Sequence, residues 1–172
     1  GYEESYGSLC GTHARDKDAV VASMLICDMA CYYYSQNKTI YQRLMELFEQ
    51  FGYYKELSVS TAFEGLDGME KMASIMDKLQ NTFVNTLAGN SVNNVEDYLK
   101  SERTFKDGSK EVIYLPKSKV LLYNMDCGDW VCVRPSGTEP KLKTYSSARG
   151  KSKIEAENLA KAYIEDIKKI IF

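Results

Sequence analysis

Residues 129–145, DWVCVRPSGTEPKLKTY, read as two strands joined by a polar loop. Asp129–Val133 is rich in β-branched and aromatic residues, and Lys141–Tyr145 repeats the pattern after the break. Between them, Arg134, Pro135, Ser136, Gly137 and Thr138 bring a cation, two hydroxyls and a glycine into five positions. Such a set suits a phosphate monoester, which binds where an arginine fork, hydroxyls and backbone N–H groups converge. Gly137 permits close backbone approach or a positive φ, and Pro135 stiffens the loop. Lys141 and Lys143 add positive charge beside it. On composition alone, the same residues also make an ordinary hairpin turn.

Outward from this hairpin, strand-like pieces recur at 95–98, 111–115 and 120–125, with Asp107-Gly108 as a hairpin turn signal. Ser152-Lys153-Ile154-Glu155 is a capping-box pattern opening a last helix, whose apolar stripe is Ile154, Leu159, Tyr163, Ile167 and Ile170. Upstream, KELSVSTAF alternates as a strand, EGLDG breaks it, and a helix follows from about Gly68 to Phe83. Its face is Met69, Met72, Ile75, Met76 and Leu79. The section 88–94 is polar and reads as loose chain.

The first part differs. Residues 1–17 have no period and read as loop. From Asp18, AVVASMLICDMACYYY is apolar on most faces, which predicts a well-buried helix ending near Ser35–Asn37. Thr39 is placed to cap a second helix, which Gly52 stops. Two helices are thus followed by strand, helix, strands and helix. The expected class is α+β: a helical remnant of an α/β domain (1–54), then a small antiparallel sheet covered by two helices (55–172).

The chain has 172 residues, 44% hydrophobic and 27% charged, with a net charge of −2. That balance argues against a nucleic-acid surface, and no apolar run reaches the roughly 18 residues of a membrane span. Five cysteines include no CxxC pair. Cys27 and Cys31 lie i, i+4 within the apolar helix pattern and read as buried free thiols, which suits a reducing cytoplasm. His13 is the single histidine, and nothing has zinc-ligand spacing, so no metal ligands are assigned. Trp130, the tyrosines at 32–34 and the methionines at 69–76 are expected in core packing.

Arg134-Pro135-Ser136-Gly137-Thr138-Glu139-Pro140-Lys141-Leu142-Lys143 resembles the phosphate-binding loop in the last domain of the α-D-phosphohexomutases, the phosphoglucomutase/phosphomannomutase family. Glu3-Glu4-Ser5-Tyr6-Gly7 resembles that family's sugar-binding loop, in the right order and at the right separation. Arg15-Asp16-Lys17-Asp18 before an apolar helix fits the phosphoglucomutase-like branch. The resemblance spans essentially the whole chain, from the end of the third domain through the fourth. It implies an enzyme interconverting hexose 1-phosphate and 6-phosphate through a phosphoserine and a bisphosphate intermediate.

By that resemblance, Glu3 and Ser5 would bind sugar hydroxyls. Arg134, Ser136, Gly137, Thr138 and Lys143 would hold the phosphate that is not transferred. Lys17 would assist proton transfer, which requires a pKa lowered by burial or by a neighbour such as Arg15. Here the spacing between Gly7 and His13 departs from the family by one inserted residue. Tyr145 also stands about where some relatives carry an arginine. Neither the family's phosphoserine loop nor its acidic magnesium loop is in the sequence. Mg²⁺ and the N-terminal domains would therefore belong to the intact protein, and this chain alone is expected to be inactive.

Read without the family, Glu3-Glu4 is solvated charge. Asp16, Lys17 and Asp18 are then a charged helix start that suits the helix dipole. Two rivals stand beside the mutase reading: a non-catalytic sugar-phosphate-binding module, and an interaction domain whose loop is only a turn.

Overall fold

The computed structural model describes residues 1–2, 7–137 and 139–172. The chain forms two compact units, Gly1–Phe51 and Gly52–Phe172.

In the first unit, the Asp18 carboxylate accepts from the N–H groups of Val20 (2.9 Å) and Val21 (3.1 Å) and so caps α1, Ala19–Tyr34. The chain leaves the helix through Asn37, at φ 55°, with the Lys38 N–H donating to the Tyr33 carbonyl. Thr39 opens α2, Ile40–Phe51, with a reciprocal box. The Gln42 N–H donates to Thr39 Oγ1 at 3.1 Å, and the Thr39 N–H donates to Gln42 Oε1 at 2.8 Å.

The expected burial of α1 is overturned. None of its residues is buried, and Val20 and Met24 are 79% and 61% exposed. Cys27 and Cys31 are therefore exposed thiols, and Tyr32 and Tyr34 lie open instead of packed. The reason is a lack of surface. Among the described residues of this unit, the only other helix is α2, and the only β pairing is the Tyr2–Ser8 bridge.

The second unit is an α+β layer. Its elements are β1 (Tyr53–Ala62), α3 (Gly68–Gln80), β2 (Thr86–Leu87), β3 (Asn90–Asp97), β4 (Glu102–Phe105), β5 (Lys110–Val112), β6 (Leu121–Met125), β7 (Trp130–Pro135), β8 (Lys141–Gly150) and α4 (Lys153–Ile171). The sheet order is β1-β8-β7-β6-β3-β4-β5, with β2 beside β3, and every pairing is antiparallel. Both helices cover one face. Met72, Met76 and Leu79 of α3 and Ala160, Tyr163 and Ile167 of α4 share a core with Val92, Val131, Val133 and Leu142 from the strands.

Ser152 caps α4, its hydroxyl accepting from the Glu155 N–H, while the Glu155 carboxylate accepts from the Lys151 N–H. The buried stripe is Ala156, Ala160, Tyr163, Ile164, Ile167 and Ile171, one step round from the expected one. Ile154 is 72% exposed because the capped first turn stands at the sheet end. Gly150 lies under that turn: a Cβ there would meet the Ala156 nitrogen at 2.5 Å.

The polar section 88–94 is not loose, since most of it belongs to β3 between β4 and β6. Val92 is fully buried, and Asn94 is buried with its side-chain oxygen accepting from Asn124 at 2.9 Å. Polar partners across the strands satisfy what looked from the sequence like loop chemistry. A register shift between Val92 and Asn94 further disturbs the alternation.

The Asp126–Asp129 segment turns β6 into β7, with Gly128 at φ +90°. Buried Asp129 accepts from Tyr163 Oη at 2.8 Å and from the Arg149 N–H at 2.9 Å, and Asn90 Nδ2 donates to Tyr163 Oη at 2.8 Å. Burial and the facing carboxylate push the Tyr163 hydroxyl well above its ordinary pKa, so it stays a neutral donor. This network pins α4 to the far end of the β6–β7 hairpin.

Candidate phosphate-binding site

The described residues of the candidate loop lie at the other end of β7. Strand alternation sends Val131 and Val133 into the core, leaving Trp130, Cys132 and Arg134 on the face away from the helices. On β8, Leu142 and Ala148 face inward, and the Ser146 hydroxyl donates to the Ala160 carbonyl of α4. Lys141, Lys143 and Tyr145 therefore share the outer face. Trp130 is half-buried there and takes no part in the helix-covered core.

The register places Arg134 directly opposite Lys143, and Lys143 directly opposite Ser60 on β1. A row Ser60–Lys143–Arg134 thus crosses three strands. Like charges facing each other across a sheet are destabilising unless something neutralises them. Among the described residues, neither Arg134 nor Lys143 has an ion pair. Lys141 differs, because its ammonium pairs with Glu139 at 2.9 Å. The Arg134 guanidinium carbon lies over the Tyr145 ring, 5.6 Å from its centroid. On this face, burial pushes the Cys132 thiol up to about 11, although Arg134 pulls the other way, so Cys132 stays protonated.

The loop itself is tied at both shoulders. The Ser136 N–H donates to the Lys141 carbonyl at 2.7 Å, and the Phe63 N–H donates to the Pro140 carbonyl at 2.8 Å. Pro140 also packs on α3: a Cβ on Gly68 would lie 3.1 Å from it and 2.3 Å from the Phe63 carbonyl oxygen. Gly137 is not in the left-handed region, and a Cβ there would meet nothing within 4 Å. The glycine thus leaves room beside the backbone without supplying an unusual φ. A cavity of about 400 Å³ opens at this point, lined by Met69, Lys119, Arg134, Pro135, Ser136 and Gly137 among others. Met69 faces it at 51% exposure instead of lying in the core with Met72 and Met76.

Thr138, Glu3 and Ser5 lie outside the described residues. Lys17 is exposed, in the segment before α1. Near it, His13 Nε2 pairs with Asp18 Oδ2 at 3.0 Å. That contact and the capping N–H groups hold the Asp18 carboxyl below the ordinary range. No cluster of three or more His, Cys, Asp or Glu side chains is placed to hold a metal ion among the described residues.

Sequence reasoning missed Ser60 and Lys119 as neighbours of the loop, and it did not see that Tyr145 lies under the Arg134 guanidinium. Ser60 and Tyr145 had a signal in the outward phase of their strands. Lys119 had none, because only the folded chain brings 118–120 beside Arg134.

Residues 84–165 match the domain family described as "Phosphoglucomutase/phosphomannomutase, C-terminal domain". Residues 1–51 match "Phosphoglucomutase/phosphomannomutase, alpha/beta/alpha domain III". Among curated proteins, a phosphoglucomutase of Staphylococcus haemolyticus is 39% identical over 147 residues, covering 85% of this chain and 27% of the relative. One from Staphylococcus saprophyticus subsp. saprophyticus is 33% identical over 159 residues, covering 92% and 28%. The chain thus spans little more than a quarter of the length of these relatives. In fold it is similar to the open form of parafusin, a phosphoglucomutase from Paramecium. That match has a TM-score of 0.63 at 17% identity, covering 98% of this chain and 29% of that one. Two consecutive domains of one family, matched in order along the sequence, place this chain in the phosphoglucomutase/phosphomannomutase family of phosphohexomutases.

Proposed function

We propose that this chain is the sugar-phosphate-anchoring part of a phosphohexomutase that interconverts hexose 1-phosphate and hexose 6-phosphate. The observation that carries the reading is the facing pair Arg134 and Lys143, two cations without a carboxylate partner among the described residues, beside a glycine-opened loop. A phosphate dianion between them would turn a mutual repulsion into two charge-assisted contacts. Ser136 and Thr138 would supply hydroxyls, and Gly137 the space for close approach. Glu3 and Ser5 would meet the sugar hydroxyls, and Lys17 would assist proton transfer.

In the intact enzyme, a phosphoserine outside this chain would pass its phosphoryl group to the free hydroxyl of the bound sugar phosphate. The resulting bisphosphate would turn around and return its other phosphoryl group to the serine. The anchor described here must then hold either end of the sugar. It supplies orientation and charge, and the bond-breaking belongs elsewhere. Magnesium, with ligands outside this chain, and the domains that cover α1 are parts of the same proposal. The unburied apolar helix and the length of the relatives support it.

The test is an NMR titration of this chain with glucose 1-phosphate, using inorganic phosphate and glucose as controls. Amide shifts should centre on Arg134–Gly137 and Lys143, follow both phosphate compounds and weaken with salt. Glucose alone should leave them in place, and Arg134→Ala should abolish them while preserving the spectrum elsewhere. An Arg134→Ala chain that still binds phosphate at wild-type affinity would refute the anchor assignment.

A further inference from the structure

We propose that Tyr145 is the positioning residue of the anchor: its ring holds the Arg134 guanidinium in place with the N–H donors left free for phosphate. The proposal rests on the phosphate reading above and names the side chain that makes Arg134 fit for it. Arg134 and Tyr145 are diagonal neighbours on the outer sheet face, because Arg134 pairs with Lys143 and Tyr145 with Cys132. Diagonal positions on one face are within reach of aromatic and long side chains. The guanidinium carbon lies 5.6 Å from the ring centroid, within cation–π range.

A free arginine has many rotamers, and ordering it opposes binding. A carboxylate partner would order it but would occupy the N–H groups that phosphate needs. An aromatic face orders it without accepting those hydrogens in plane. Tyr145 is itself held half-buried between Ser58 on β1 and Cys132 on β7, so the platform is fixed by the sheet and not by the loop. Positioning matters here because Lys143 pushes the guanidinium away from directly across the strand. The ring draws it along the face instead.

The experiment compares the wild-type chain with Tyr145→Phe, Tyr145→Leu and Arg134→Ala, titrated with inorganic phosphate and observed by NMR, with thermal unfolding of each variant. In the wild type, ring current should move the Arg134 side-chain protons upfield, a readout that needs neither a variant nor a ligand. Tyr145→Phe should keep that shift and bind phosphate near wild-type affinity. Tyr145→Leu should lose the shift and bind roughly three- to tenfold more weakly with an unchanged Tm.

Wild-type affinity in Tyr145→Leu, or equal losses in the Phe and Leu variants, would overturn the positioning role while leaving the anchor reading intact. Unshifted Arg134 protons in the wild type would overturn it as well. Phosphate binding that survives Arg134→Ala would instead sink the anchor, and the positioning role with it.

Discussion

Helix α1 carries one charged residue, Asp28, in sixteen, whereas α4 alternates charge and apolar residues through nineteen. By apolar content, α1 is the better candidate for a core. Yet none of its residues is buried, while six of α4 are. The difference lies in what each unit offers. Gly52–Phe172 supplies a sheet with one apolar face, and the stripe of α4 fits it. The described part of Gly1–Phe51 supplies only a second helix. An all-round apolar helix announces that it needs cover, and an amphipathic one announces where its cover already is.

Truncation tests that contrast most severely. Ile167→Ala, at a fully buried position in α4, is expected to cost about 4 kcal/mol in urea unfolding. Ile26→Ala, 55% exposed in α1, should change stability by less than about 0.5 kcal/mol. A large loss at Ile26 would mean that α1 is covered in solution, and the comparison would break. Next in size is Tyr163→Phe, which removes the hydroxyl between Asn90 and the buried Asp129 carboxylate. With that oxygen left short of a donor, a loss of about 2 kcal/mol is expected in the same assay. The smallest effect belongs to the first unit. The Asp18 carboxyl is held below its ordinary value of 3.8, by His13 first and then by the capping N–H groups. Its contribution is therefore present above that pH and fades as the pH falls through the lowered value. Amide exchange at Val20 and Val21 should accelerate below about pH 4, while that of the α4 start at Glu155 should change less there.

Much of this was legible in the sequence where the signal is local. Thr39 with Gln42, Ser152 with Glu155, and Asp107-Gly108 with its flanking strands all mark sites set by neighbours three or fewer residues away. What failed was long-range. The first half of β3 reads as loop because Asn94 finds its partner thirty residues away in Asn124. Ile154 looks like core until α4 is seen to start beyond the sheet end. Cys27 and Cys31 look buried because a helix period says which residues share a face and never whether anything covers it. At the candidate site, the loop was readable as a cluster of donors. The facing of Arg134 and Lys143 was not, because it depends on the register between two strands.

β8 is locked along ten residues to β1, and β7 is locked to β6 on its other side. Neither strand is free to slip when the loop between them changes. The pairing of β7 with β8 holds Arg134 and Lys143 opposite each other. The position of the two charges is thus set by the sheet, and the loop between them does not have to hold them opposite each other.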